Sequence, residues 1–339
     1  MEERKNLIHV KDLHVRDICI VPCAEERKYY LYDCFPVPGQ KTNAINVRES
    51  EDLVWWSEAS HAFVPDEDFW GPLDFWAPEC HFWRGKYYAI SSFRAPGGYR
   101  GCQFLVSESP KGPFVPMVNK PATPADWHCL DGTLYEDKDG NPWMVFCHEW
   151  LQVQDGQMAA IRMKEDLSDS IGEPLILFRA SEAPWKFKKD CFSLWKHTAN
   201  QPQLGWARVT DGPYLLRTDD RTLFMVWTSY SDTAYTTGYA RSLSGEIQGP
   251  WLQEEEPLFT QDGGHAMFFR RFDGTLMMVM HSPNIPSKEK MLLFEMEVKA
   301  NRLCIVNEVT GNWITHKYLP NGQMRVEIME GEREEKGEQ

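Results

Sequence analysis

Long apolar runs are missing from this chain. No stretch approaches the roughly 20 consecutive apolar residues that a membrane helix needs. Basic charge is in deficit: 36 Lys and Arg stand against 50 Asp and Glu, a formal net charge of −14. That argues against nucleic acid or an anionic membrane as a partner, because both select basic surfaces. The nine cysteines are odd in number, show no CxxC spacing and fall mostly inside apolar runs. Buried thiols acting as small hydrophobes are expected, not a disulfide framework. Neither GxGxxG nor a Walker phosphate loop is present, and no Ser or Cys sits in a recognisable nucleophile setting with a His base. The opening MEERKNLI lacks the basic-then-apolar order of a signal peptide. As numbered, the chain reads as cytoplasmic, or as exported with a leader already removed.

A repeat is present instead. Five times a polar residue leads a short apolar run, and a second run rich in aromatic and β-branched residues follows. Asp17 leads ICIV before KYYLYDC, and Glu79 leads CHFW before KYYAISSF. Asp131 leads GTLY before NPWMVFCHE, Asp211 leads GPYLL before RTLFMVWTSY, and His265 leads AMFFR before GTLMMVMHS. The gaps (EER, WRG, EDKDG, RTDD, RFDG) carry Asp and Gly, which tolerate the backbone angles of a tight reversal. The leaders are 62, 52, 80 and 54 residues apart. Hairpins repeating at that distance point to a propeller.

Third strands are expected in GCQFLVSES, QMAAIRMKED, TTGYARSLS and KMLLFEMEV. Fourth strands are expected in SESPKGPFVP, PLILF, SLSGEIQGPWLQ and RLCIVNEV. The fold class is therefore all-β, a five-bladed β-propeller of four-stranded antiparallel blades around a central channel, an arrangement that leaves few free sheet edges. Blade I is the least regular: AINVRES supplies its third strand, and the C-terminal NWITHKYL is the candidate for its fourth. The 339 residues read as one domain. Insertions are expected at 36–75 and 179–210, with a charged tail from about 328.

Leading residues of innermost strands converge on the channel. Carboxylates gathered there repel one another, so at least one should have a raised pKa. Two carboxylates of separated pKa suit glycosidic cleavage: one donates a proton to the leaving oxygen, the other activates water. Aromatics make up 13% of the chain and include 14 Trp. Strand packing accounts for most, and the remainder can stack on the apolar faces of sugars.

The phrases HVRDICIV, FWAPECHFWRGKYYAI, LDGTLYEDKDGNPWMVF, TDGPYLLR and GGHAMFFRRFDG, in this order and spacing, resemble glycoside hydrolase family 43. The resemblance implies a five-bladed propeller that hydrolyses arabinose- or xylose-containing polysaccharides with inversion at the anomeric carbon. It implies Asp17 as general base and Asp131 as the residue that orients the acid and tunes its pKa. It places His265 near the axis, where relatives often hold a calcium ion or a water cluster; the chemistry itself requires no cofactor.

The general acid departs from the pattern. Relatives usually carry Glu before Gly-Pro at the start of blade IV, where this chain has Asp211, one methylene shorter. Three readings stay open: Asp211 is the acid in an adjusted site, Glu182 in the SEAPW phrase supplies it, or the site is catalytically weak. Trp76, Glu79, His148, Trp150 and His265 are candidates for sugar contact, His265 also for the metal. A plainer role is available to several: a turn for Asp131, wall or rim packing for Glu79, His148 and Trp150. The expected activity is α-L-arabinofuranosidase or arabinanase on an oligo- or polysaccharide. A β-xylosidase and a non-catalytic sugar-binding propeller are the alternatives. The two bulky insertions favour a pocket and exo action.

Overall fold

The computed structural model describes residues 6–36, 43–185, 207–232 and 234–311, and the backbone of the strands Ile314–Tyr318 and Met324–Ile328. Five four-stranded antiparallel sheets follow one another along the chain. Their innermost strands are Cys19–Cys23, Leu73–Trp83, Cys129–Glu136, Asp211–Arg217 and Gly264–Arg270. Each of these packs beside the next, and the fifth packs beside the first, which closes the ring. The protein is an all-β, five-bladed propeller.

Local chemistry explains the blades. Innermost and second strands are joined by short turns rich in Asp and Gly. Arg84 and Gly85 both have positive φ (47° and 85°), the geometry of a two-residue hairpin turn between Trp83 and Lys86. Successive blades bury apolar faces against each other in four clusters. One joins blades I, II and V, and the others lie at the II–III, III–IV and IV–V seams. Second strands are buried along almost their whole length (PWMVFCH, LMMVMHS), which is why they read as unbroken apolar runs. The eight described cysteines are all free, six of them buried.

Blade I corrects the expectation about ring closure. Its strands are Cys19–Cys23, Lys28–Asp33, Ile45–Ser50 and Ser60–Phe63. The fourth thus comes from the 36–75 segment, where an inter-blade insertion was expected. The NWITHKYL region forms the strand Ile314–Tyr318, which pairs with Met324–Ile328 in a separate hairpin. SHAF is short and ends on two small or aromatic core residues, so nothing in its composition marks it as a blade edge. In the 179–210 segment, residues 186–206 lie outside the described residues, as does the charged tail beyond Ile328.

One device recurs around the ring. The innermost strands of blades II to V each carry a two-residue bulge, at Ala77-Pro78, Asp131-Gly132, Gly212-Pro213 and His265-Ala266. The first residue of each has positive φ, as does Asp17 ahead of blade I. A bulge bends a strand and re-aims its side chains, here toward the axis. Three of these residues donate their backbone N–H to a polar side chain near the end of the preceding blade's second strand. Asp131 donates to Ser92 Oγ (2.9 Å), His265 to Thr228 Oγ1 (3.0 Å) and Asp17 to His281 Nδ1 (3.4 Å).

Candidate active site

The repeat brings Asp17, Asp131, Asp211 and His265 together. Asp17 and Asp131 both face His265 Nδ1, with Oδ1 of Asp17 at 3.4 Å and Oδ2 of Asp131 at 3.8 Å. Asp131 Oδ2 also accepts the backbone N–H of Gly212 at 2.9 Å, and so ties blade III to the residue beside Asp211. Tyr235, on the third strand of blade IV, donates its hydroxyl to Asp211 Oδ2 at 2.9 Å. A Cβ on Gly212 would lie 2.8 Å from His265 Cα, and its φ is +51°, so the close approach of blades IV and V requires glycine here.

The three carboxyls are not equivalent. Burial pushes Asp17 up, but Arg16, 3.4 Å away, and then His265 and His281 outweigh it, and Asp17 falls to about 2. Burial raises Asp131 well above the ordinary carboxylate range, and the charge of Asp17 adds to it. Burial and the neighbouring Asp131 raise Asp211 in the same direction. Asp17 is therefore an ionised carboxylate facing a pair of carboxyls, Asp131 and Asp211, in which a charge on one favours the proton on the other. His281, fully buried, is pushed down to about 3 by burial. It is neutral, and its Nδ1 lies 3.4 Å from the Asp17 backbone nitrogen and 3.2 Å from Asp17 Oδ1.

The other predicted residues lie elsewhere. Glu182 closes a short 3-10 helix, Ala180–Glu182, beyond the outer strand of blade III. It is exposed, and its Oε1 accepts the N–H of Arg179 at 2.9 Å. No contact joins it to the channel acids among the described residues. Glu79 is buried and paired to His81 Nε2 at 2.8 Å. It directly follows the bulge, and blade II's counterpart of Asp17 and Asp131 is Ala77, two residues earlier.

His148 stands one position beyond the strand site that His281 fills in blade V: Cys147 pairs with Leu130 ahead of the bulge, as His281 pairs with Gly264. That single step turns it to the opposite face of the sheet. There its two ring nitrogens meet Gln157 (3.1 Å) and Gln152 (3.0 Å). Trp150 is buried in the apolar cluster between blades III and IV. Trp76 is 44% exposed and directly precedes the Ala77 bulge, the place Asp211 takes in blade IV.

Four residues of this centre escape a reading of leaders alone: Arg16, His281, Tyr235 and Arg100. Arg16 was visible as the R of the RD phrase. His281 ends an MVMH run that parallels MVFCH of blade III. Tyr235 carried no signal. Arg100 is buried, stacks its guanidinium 3.9 Å from the Trp76 ring centroid, and pairs with Glu149 and with Asp74 (2.9 Å). With the Trp76 ring open to solvent, such a stack is worth about 1 kcal/mol.

An ionised carboxylate facing a carboxyl pair with raised proton affinity, in one propeller channel, is the equipment of a glycoside hydrolase. The chain belongs to glycosyl hydrolases family 43, whose model matches residues 14–303. It is similar to the endo-arabinase from Bacteroides thetaiotaomicron VPI-5482, whose crystal structure is 40% identical over 88% of this chain and 99% of that one, with a TM-score of 0.79. It is also similar to the extracellular endo-α-(1→5)-L-arabinanase 1 of Bacillus subtilis (strain 168), at 31% identity over 106 residues. That match spans 30% of this chain and 30% of the relative's length. A thermostable family-43 glycoside hydrolase shares the fold at 22% identity, with a TM-score of 0.70 over 87% of this chain and 93% of that one.

Proposed function

We propose that this protein hydrolyses arabinose-containing glycans, as an arabinanase or α-L-arabinofuranosidase, in one inverting displacement. The observation that carries the reading is the convergence of Asp17, Asp131 and Asp211 around His265 in the channel of a family-43 propeller. The arabinan-acting names of the Bacteroides and Bacillus relatives support the choice of sugar. The second also supports export from the cell.

Asp17 is the general base. It takes a proton from water as the water oxygen bonds to the anomeric carbon. Asp211 is the general acid. With Oδ2 engaged by Tyr235, Oδ1 is left to carry the proton that passes to the departing oxygen as the glycosidic bond breaks. Asp131 touches neither reacting atom in this scheme. It anchors the backbone beside Asp211 and its charge keeps the acid's pKa high. Asp211 is preferred to Glu182 because it shares the channel with Asp17 and Asp131.

A calcium ion near the axis belongs to the same proposal. His265 Nε2 is buried without a protein partner, and among the described residues no group of three or more His, Cys, Asp or Glu could hold a metal. Calcium takes six to eight oxygen ligands, so water would have to supply most of the shell and His265 Nε2 at most one place in it. Bound there, it would supply positive charge that favours ionised carboxylates. Calcium should then raise the Tm of the wild type and leave that of His265→Ala unmoved.

The functional test is pentose release from aryl arabinofuranosides, aryl xylosides and linear arabinan fragments by wild type and Asp17→Asn. Arabinose release by the wild type, lost in the variant, is the expected outcome. Release of xylose alone, or full activity in Asp17→Asn, overturns the reading.

A further inference from the structure

Trp76 begins a row of aromatic side chains that leaves the channel mouth along the seam of blades II and III. Tyr99, in the loop after the second strand of blade II, is 46% exposed. Trp127, in the loop before blade III, is half-buried. Each is backed by a polar side chain tied to the frame. Trp76 lies against Arg100, itself clamped by Glu149 and Asp74. Tyr99 meets the edge of His128, with ring centroids 4.8 Å apart. Trp127 stacks on His148 at 4.0 Å with rings 10° from parallel.

The backing residues are linked to one another. Arg100 donates its N–H to His128 Nδ1 (3.3 Å), and His128 donates its own N–H to Gln152 Oε1 (2.7 Å). The same Gln152 oxygen meets His148 Nε2 at 3.0 Å. One hydrogen-bonded line therefore holds all three aromatics in place, starting one residue from the Ala77 bulge.

Exposed aromatics are normally scattered and mobile. A row fixed by a shared network, with Trp76 and Tyr99 open to solvent and Trp127 partly so, has lost its rotamer freedom before any ligand arrives, so binding costs less. Flat apolar faces rimmed by imidazoles and amides match a sugar ring, which offers C–H faces and a hydroxyl edge. The net-acidic chain and the absence of an unpaired cation along this line speak against an anionic ligand.

We propose that Trp76, Tyr99 and Trp127 form a glycan-binding track outside the catalytic channel. It takes the sugar units of a neutral pentose chain beyond the bond being cleaved, with Arg100 as the residue that positions Trp76. The identity of the sugar rests on the function proposed above; the track does not. It runs against the pocket expected from the insertions, because an open row of platforms admits a long chain.

The test compares chain lengths. kcat/KM is measured for wild type, Tyr99→Ala and Trp127→Ala on an aryl arabinofuranoside and on linear α-1,5-arabino-oligosaccharides of increasing length. Both side chains sit in surface loops, and Tm is recorded as the check on folding. In each variant the ratio of oligosaccharide to aryl kcat/KM should fall about tenfold, the size expected of one good contact, with the change in KM. An equal loss on both substrates, or no loss on either, overturns the track. If the wild type releases nothing from any pentoside, the function reading fails and calorimetry decides the track. Affinity for arabino- or xylo-oligosaccharides should rise with length in the wild type and stop rising in Tyr99→Ala. Affinity independent of length contradicts it.

Discussion

The backbone N–H of Asp17 donates to His281 Nδ1 at 3.4 Å, across the seam where the last blade meets the first. The same contact that closes the ring aims the blade I carboxylate at the axis. Burial keeps His281 neutral despite the nearby Asp17 carboxylate. His281→Ala should therefore cost both activity and stability. His281→Gln, which keeps an acceptor near the same place, should recover part of each, as read by kcat on an arabino-oligosaccharide and by Tm.

Asp131→Asn should shift the alkaline limb of the pH–rate profile. Asn keeps an oxygen for the Gly212 N–H but removes a charge that raises Asp211. Asp211 then loses its proton at lower pH, and the limb moves down. The acid limb belongs to Asp17, whose pKa is about 2. Protonating it costs activity only at very low pH, so the wild-type profile should be flat through the mildly acidic range. An Asp131→Asn profile that superimposes on wild type would reduce Asp131 to a turn residue.

The general acid is identified by leaving-group dependence. Aryl glycosides with acidic phenols need little protonation, whereas a sugar leaving group needs it fully. Asp211→Asn should lose about 10²–10⁴-fold on an arabino-oligosaccharide and far less on the activated aryl substrate. Glu182→Gln should lose little on either. The reverse pattern would transfer the role to Glu182.

Gly212→Ala tests the packing of blades IV and V. The new Cβ would meet His265 Cα at 2.8 Å, on a backbone with φ +51°. Gly274 also has positive φ (+88°) but nothing within 4 Å of its notional Cβ. Gly274→Ala should cost only the left-handed penalty of about 1–2 kcal/mol. Gly212→Ala should cost that plus an overpacking term of about 1–3 kcal/mol. Denaturant unfolding of the two variants checks the order.

Four of the channel residues were legible because each leads an apolar run at a propeller interval, and a leader's place in the ring follows from its place in the repeat. The partners that set their chemistry were not. Ser92, Thr228, His281 and Tyr235 reach the channel from second and third strands, and which face they take depends on strand register. His148 shows the consequence: one position separates it from the site His281 fills, and it points to Gln152 and Gln157 instead of the axis. Glu79 stands off the leading place for a related reason. The bulge at Ala77-Pro78 shifts the register directly before it, so the acid of the phrase stands two positions past Ala77, blade II's counterpart of Asp17. Blade I's fourth strand, Ser60–Phe63, has only four residues and no turn phrase of its own, so the distant NWITHKYL looked the better strand.

Stereochemistry bears most directly on the central account. Wild-type enzyme is mixed with a linear arabino-oligosaccharide, and proton NMR follows the anomeric signals before mutarotation sets in. Asp17 activating water on one face while Asp211 protonates the leaving oxygen on the other predicts that the inverted anomer appears first. A retained anomer at the earliest times, or no new reducing end at all, would contradict it.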